Sequence, residues 1–261
     1  MLDEINKVAC MDNLEYMKTL PNESISLIYG DILYGTGRKF KDYQDLKPIK
    51  SVIDEFYISR IKEMYRLLKQ TGSIYLQCDS RINHWIRCIM DDIFGYENFQ
   101  NEIVWCYKSQ GFNKNKYSSK HDYIIFYSKS KDFTFNMDDI RGEPSESWVK
   151  RYSKELKEKG FFTDYKSKKK YYSFVGSPPL DWINISILPS AHKENTGYAT
   201  QKPLELMDRI IRGSSNEGDV VADFFMGSGG FLVKAKELKR NYIGCDNNIE
   251  AVEITNKRLE I

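Results

Sequence analysis

The stretch VVADFFMGSGGFLVKAKEL, Val220 to Leu238, decides the fold. A short apolar run ends in an acid, Asp223, a glycine-rich turn follows at Gly227-Ser228-Gly229-Gly230, and a helical pattern begins at once. Glycines suit a turn where a ligand must touch main chain at a helix N-terminus, because a Cβ would block its approach. Just downstream, NYIGCDNN is a second strand ending at Asp246. An acid at that tip is placed to bind the two hydroxyls of a ribose. Strand, turn, helix, strand and terminal helix therefore describe an adenosine-type nucleoside site.

Two cofactors compete for such a site. A dinucleotide fingerprint would place G-x-G-x-x-G beneath a pyrophosphate, whereas the pattern here is D-x-x-x-G-x-G-G, with Asp223 ahead of the glycines. That acid would repel a pyrophosphate. It suits the ammonium of S-adenosylmethionine, which has no phosphate and carries a sulfonium charge. A nicotinamide-dependent oxidoreductase is weakened further by the absence of an obvious acid or base for hydride transfer.

Upstream the chain alternates strands with helices. KVACMD (7 to 12) reads as a strand, NLEYMKTL as a helix, and SISLIYGD (24 to 31) as a strand covered on both faces. A helical stripe over 52 to 69 carries Ile53, Phe56, Tyr57, Ile61, Met64 and Leu68, with Gly72 standing where a helix would stop. SIYLQCD (73 to 79) is a second buried-type strand ending in an acid, and a helix through HWIRCIMDDIF follows. EIVWCYK (102 to 108) and DYIIFYSK (122 to 129) read as an antiparallel edge pair. Strands alternating with helices point to an α/β sheet. Residues 131 to 183 break the alternation, so the expected organisation is 1–130, an insert at 131–183, and 184–261 as the cofactor half. In the last part, Pro203 opens a helix with Leu204, Met207, Ile210 and Ile211 on one face.

Composition excludes several classes. With 261 residues, 41% hydrophobic and 29% charged, the chain has the balance of a soluble globular protein. No apolar run approaches the ~18 residues of a membrane span. The N-terminus lacks the features of a secretory or transit segment, so a cytoplasmic location and no membrane partner are expected. Cys10, Cys78, Cys88, Cys106 and Cys245 lie far apart without a C-x-x-C pair, so neither a metal site nor a disulfide framework is expected. Net charge is only +2, but positive charge is concentrated, with Lys or Arg at 150, 151, 154, 157, 159, 166, 168, 169 and 170 against acids at 155, 158 and 164.

Four segments then carry a resemblance. GDILYGTG places an acid, two residues and an aromatic before a glycine turn, similar to the D-P-P-Y signature of amino-methyltransferases that modify exocyclic amines of DNA bases. It matches at Asp31 and Tyr34 and carries Ile32-Leu33 in place of both prolines. DFFMGSGG resembles the family's D-P-F-x-G-S-G-T, TGYATQKPLELMDRII its segment ahead of the cofactor strand, and SSKHDYIIFYSK a family strand. With the target half first and the cofactor half last, the order resembles that of the β class of adenine-N6 or cytosine-N4 DNA methyltransferases. It covers residues 5 to 261 apart from the insert.

The resemblance implies a Rossmann-like S-adenosylmethionine-dependent methyltransferase fold: a mostly parallel seven-stranded sheet with an antiparallel edge strand, in circularly permuted order, with a small inserted target-recognition region. It implies that Asp31 and the Ile32 carbonyl hold the target amino group and that Tyr34 stacks on a flipped base. Asp12, Thr200, Lys202, Asp223, Phe225, Gly227, Ser228, Gly229, Asp246 and Asn247 are then the cofactor-site candidates. An aspartate at the first motif position leans to adenine by family habit. Lys114, Lys116 and Lys120 in a basic loop, and Lys166, Lys168, Lys169 and Lys170 in the insert, would pair with phosphates of duplex DNA. Around the second cluster, Phe161, Phe162, Tyr165, Tyr171 and Tyr172 suit either base contact or a small satellite core. A homodimer partner and a cognate restriction endonuclease are further candidate partners. Cytosine-N4 transfer remains open, as does a non-catalytic subunit serving an active partner, which the missing prolines motivate.

Overall fold

The computed structural model describes residues 5–40, 43–109, 111–174 and 176–260. In chain order the main elements are β1 (Lys7–Cys10), α1 (Asn13–Thr19), β2 (Ile25–Asp31), α2 (Lys50–Leu67), β3 (Leu68–Cys78), α3 (Asn83–Phe94), β4 (Phe99–Cys106) and β5 (His121–Ser128). There follow α4 (Glu146–Lys159), β6 (Phe162–Thr163), β7 (Lys170–Tyr171), β8 (Trp182–Asn184), α5 (Leu204–Ser214), β9 (Val220–Asp223), α6 (Gly230–Glu237), β10 (Asn241–Asp246) and α7 (Ile249–Leu259).

Eight strands form one sheet in the order β1-β10-β9-β2-β3-β5-β4-β8. All its neighbours run parallel except β5, which is antiparallel to both β3 and β4. The mostly parallel α/β class matches expectation, and two details differ. Trp182–Asn184 form an eighth strand, β8, beside β4, and the antiparallel strand therefore lies inside the sheet rather than at its edge. Three residues paired through backbone alone leave no periodic signature, which is why β8 escaped the sequence pattern.

Side-chain alternation along the strands feeds two cores. Ile28, Ile74, Leu76 and Ala222 face one cluster with Met17, Ile53, Tyr57, Ile61 and Met90 of α1, α2 and α3. Leu27, Tyr29, Tyr75 and Val221 face the other, with Leu206, Phe231, Leu232 and Val252 of α5, α6 and α7. Both faces of the central strands are covered, which accounts for their continuous apolar runs.

Gly72 departs from its expected place. The helix α2 ends at Leu67, β3 begins at Leu68 in extended backbone, and Gly72 lies within that strand. A Cβ there would sit 2.9 Å from the Lys69 carbonyl and 3.2 Å from that of Ile25. Glycine permits this close approach where the β2–β3 register shifts between Ile25 and Leu27.

Residues Asn136–Leu180 form a compact unit of their own, narrower than the 131–183 stretch. Phe133 and Phe135 instead pack on Phe126 of β5, and Trp182 and Ile183 belong to the sheet. Inside the small unit, the Ser145 hydroxyl caps α4 and Gly160 ends it in left-handed backbone. Trp148, Tyr152, Phe162, Tyr171 and Phe174 stack into its core.

Candidate active site

Sheet order makes the site. From β2 the chain winds one way through β3, and from β9 it winds the other way through β10, so the order reverses between two adjacent parallel strands. Ligands in open α/β sheets bind beyond the carboxyl ends of the strands at such a reversal. Here those ends carry Asp31 and Asp223, and the partner of Asp223 in the ladder is Tyr29, two residues before Asp31. A cavity of about 800 Å³ opens there, lined by Asp31, Ile32 and Tyr34 from one half and by Asp223, Phe225, Gly227, Ser228, Asp246 and Asn247 from the other. Asp12, Thr200 and Lys202 also line it, whereas Gly229 does not.

In the target half, Asp31 Oδ2 lies 2.5 Å from Lys202 Nζ, and Asp31 Oδ1 accepts from the Tyr34 hydroxyl at 2.9 Å. Burial pushes the Asp31 carboxyl above the ordinary aspartate range, with a smaller push from nearby Asp122, while Lys202 and Tyr34 act the other way. Lys202 was expected at the cofactor; its ammonium is instead the counter-ion of Asp31.

The backbone of Ile32-Leu33 is held without proline. The Ile32 N–H donates to the Gln77 carbonyl at 3.1 Å, extending the β2–β3 ladder by one bond, and the Ile32 side chain is 2% exposed. One residue on, the Leu33 carbonyl accepts from the Tyr57 hydroxyl at 3.0 Å. The Asp45 carboxylate then ties down the glycine turn, accepting from the N–H groups of Gly35 and Thr36 and from the Thr36 hydroxyl. Sequence reading missed Asp45, which lies in a loop without periodicity.

Behind Tyr34 lies a polar network that also escaped the sequence. The Tyr34 hydroxyl is 2.8 Å from Asp122 Oδ2, which also accepts from Gln77 Nε2 at 3.0 Å, and the Tyr107 hydroxyl donates to Asp122 Oδ1 at 3.1 Å. Tyr29 donates to Gln77 Oε1 at 2.7 Å. The available signal was a Gln and an Asp interrupting otherwise apolar strands, β3 and β5.

On the cofactor half, Asp223 is 3% exposed and accepts from the Phe225 N–H at 2.9 Å. Burial drives its carboxyl well above the ordinary range, reinforced by the negative charges of Asp31 and Asp246. Asp246 accepts from the Gly227 N–H at 3.0 Å and from the Asn248 N–H at 2.9 Å; burial outweighs those bonds and raises it too. The turn glycines divide their roles. Gly229 has φ +72°, and a Cβ there would fall 2.4 Å from the Thr255 side chain of α7, so helix packing rather than ligand approach demands glycine. Gly227, at φ +49°, faces the Tyr198 ring that lines the cavity.

The remaining candidates divide. Asp12 caps α1 through Leu14 and Glu15 and pairs with Arg60 at 2.7 Å, which uses part of its acceptor capacity. Thr200 holds φ +61°, and its carbonyl accepts from Lys202 Nζ at 3.2 Å. Lys114 and Lys116 are exposed, as are Lys166, Lys168, Lys169 and Lys170 around the β6–β7 hairpin. Lys120 differs: its ammonium turns back onto the Ser109 and Gly111 carbonyls and closes its own loop. The aromatics also split, with Phe162 and Tyr171 in the satellite core while Tyr165 and Tyr172 are 52% and 73% exposed.

Comparison with known proteins agrees with this geometry. The N6_N4_Mtase family model, described as DNA methylase, matches residues 25–257. Type II methyltransferase M.HpaI of Haemophilus parainfluenzae is 32% identical over 97% of this chain and 74% of its own length. Type II methyltransferase M1.MboII of Moraxella bovis is 31% identical over 97% of this chain and 96% of its own. Among solved structures, the cytosine-N4-specific PvuII DNA methyltransferase superposes with a TM-score of 0.68 at 19% identity, covering 99% of this chain and 90% of that one. The M1.HpyAVI-SAM complex does so at 0.59 and 20% identity, over 97% and 99%. With the family model matched across both halves of the cavity, the chain belongs to the N6/N4 amino-methyltransferase family of DNA methylases.

Proposed function

We infer that this protein moves a methyl group from S-adenosylmethionine to the N6 amino group of an adenine flipped out of duplex DNA. The observation that carries the reading is one cavity joining Asp31, Ile32 and Tyr34 to Asp223, Gly227 and Asp246. The chemistry of the donor set fits the cofactor. Asp223 and Asp246, buried and raised by that burial, favour a cationic ligand and disfavour a pyrophosphate. Asp246 would hold ribose hydroxyls, Asp223 the ammonium end, and Phe225 and Asn247 the sides. When bound, the cofactor supplies an electrophilic methyl group on a sulfonium centre.

The chain's own groups do the rest. Asp31 and the Ile32 carbonyl accept the two N–H bonds of the amino group, so that its lone pair leaves conjugation with the ring and points at the methyl. Tyr34 offers its ring face to the base. Attack is direct, with no covalent enzyme intermediate. The Ile32 N–H bond to Gln77 supports this role, because the acceptor path is fixed by the ladder in place of proline.

The test is transfer of labelled methyl from S-adenosylmethionine to mixed-sequence duplex DNA, followed by nucleoside separation. Label in N6-methyladenine is expected. Label in N4-methylcytosine would replace the adenine reading, and no incorporation without an added partner would favour the non-catalytic subunit.

Two substitutions extend the reading. Asp223→Asn keeps an acceptor for the Phe225 N–H but removes a buried charge. The variant is expected to melt no lower than the natural protein at neutral pH, yet to bind S-adenosylmethionine roughly tenfold more weakly by calorimetry. Tighter binding would remove Asp223 from the site. Alanine at Lys168, Lys169 and Lys170 together should weaken DNA binding equally on all sequences. The slope of log affinity against log salt should flatten by up to about 0.9 for each phosphate that a lysine no longer neutralises; an unchanged slope would show that these lysines meet no phosphate.

A further inference from the structure

Tyr34 has one hydroxyl proton and two carboxylates within reach, Asp31 Oδ1 at 2.9 Å and Asp122 Oδ2 at 2.8 Å. It cannot donate to both at once. The hydroxyl is therefore the middle of a three-member chain that has room for one more proton. The ends of the chain are unequal. Asp31 is paired with the Lys202 ammonium, whereas the donors to Asp122 are Gln77, Tyr34 and Tyr107, all uncharged. Other titratable groups whose fields reach Asp122 are Tyr29, Cys78 and Asp79, and none of them carries positive charge. Asp122 itself is 5% exposed. A proton delivered to this chain is thus driven away from the cation-paired end and toward Asp122.

The reaction produces such a proton. Methyl transfer leaves the amino nitrogen positively charged, and the product becomes neutral only when one N–H bond breaks. We propose that Asp122 is a positioning residue that takes up this proton through Tyr34 and Asp31, an inference that rests on the methylation reading. The N–H electron pair stays on nitrogen and the proton forms an O–H bond on Asp31. Tyr34 then accepts that proton at its oxygen while giving its own to Asp122 Oδ2. Asp31 is again a carboxylate beside Lys202, Tyr34 is neutral, and Asp122 is a carboxylic acid that releases its proton to water before the next turnover. The high pKa of the Tyr34 phenol, raised by burial and by both acids, fits a hydroxyl that passes protons without becoming a phenolate.

The chain can be cut at two places with little change of shape. Asp122→Asn and Tyr34→Phe are each expected to lower kcat about tenfold or more with KM for DNA unchanged, and the double variant should fall no further, because both cuts interrupt one path. Asp122→Glu, which keeps the carboxylate, should recover part of the loss. A structural role alone would raise KM or make the two losses multiply, and either result, or full activity in Asp122→Asn, overturns the proposal.

A second readout does not depend on transfer. Infrared difference spectra of the full-length protein on acidification should show a buried carboxylic-acid band that persists in Asp31→Asn and vanishes in Asp122→Asn. The reverse pattern, or no such band, places no proton on Asp122 and overturns the inference. Absence of transfer in the natural protein would defeat the methylation reading, leaving the proton's place to the spectra.

Discussion

Asp31→Ala is expected to lose methyl transfer by roughly 10²–10³-fold or more in kcat, with S-adenosylmethionine binding retained, when both proteins are assayed with labelled cofactor on the same DNA. The substitution removes the one side-chain acceptor for the target amino group and leaves Lys202 facing the cavity without its partner at 2.5 Å. Lys202 would then repel a sulfonium in the same space. Asp31→Asn keeps a carbonyl acceptor of similar size and should retain part of the rate, which separates acceptance of the N–H bond from charge.

The same residue sets the acid side of the pH profile. Burial raises the Asp31 pKa above the usual aspartate value, so the ionised form that accepts the amino group disappears at a higher pH than it would for a solvated acid. Activity should fall as pH is lowered through that raised value, and the fall should be absent from the residual rate of Asp31→Asn. Stability runs the other way. A carboxyl whose folded pKa is raised contributes stability below its unfolded pKa and loses it as pH rises through the folded one. Asp31, Asp223 and Asp246 all belong to this group, so the site is bought at the expense of the unliganded fold at neutral pH. Equal incorporation by natural protein and Asp31→Ala would refute its role.

Ile32→Pro is expected to destabilise the protein by about 3 kcal/mol or more in denaturant unfolding, although it moves the motif toward the family's signature. Proline would delete the N–H that donates to the Gln77 carbonyl at 3.1 Å and exchange a core side chain, 2% exposed, for a smaller ring. A variant as stable as the natural protein would mean that the ladder bond contributes nothing and that the backbone path is set elsewhere. Methyl transfer by whatever fraction remains folded should change less than in Asp31→Ala, since the Ile32 carbonyl survives.

The two cases mark where the chain could and could not be understood from its order of residues. Apolar runs ending in acids were legible in SISLIYGD and VVAD because a strand covered on both faces needs continuous apolar side chains, and only at its tip can a carboxylate reach a ligand. The glycine turn was legible for the same local reason, though the contact that requires Gly229 is with Thr255, on a helix that packs there only after folding. Sequence alone thus determined the class of fold, the order of its halves and the carboxylates of the site. Tertiary structure decided how they work together. Asp31, Lys202 and Asp122 lie on segments distant in sequence, and only the reversal between β2 and β9, with β5 inserted beside β3, brings them to one hydroxyl. Local propensity reports a strand or a turn; it carries no information about which distant side chain will occupy the next hydrogen-bonding position, because that is set by sheet order and register.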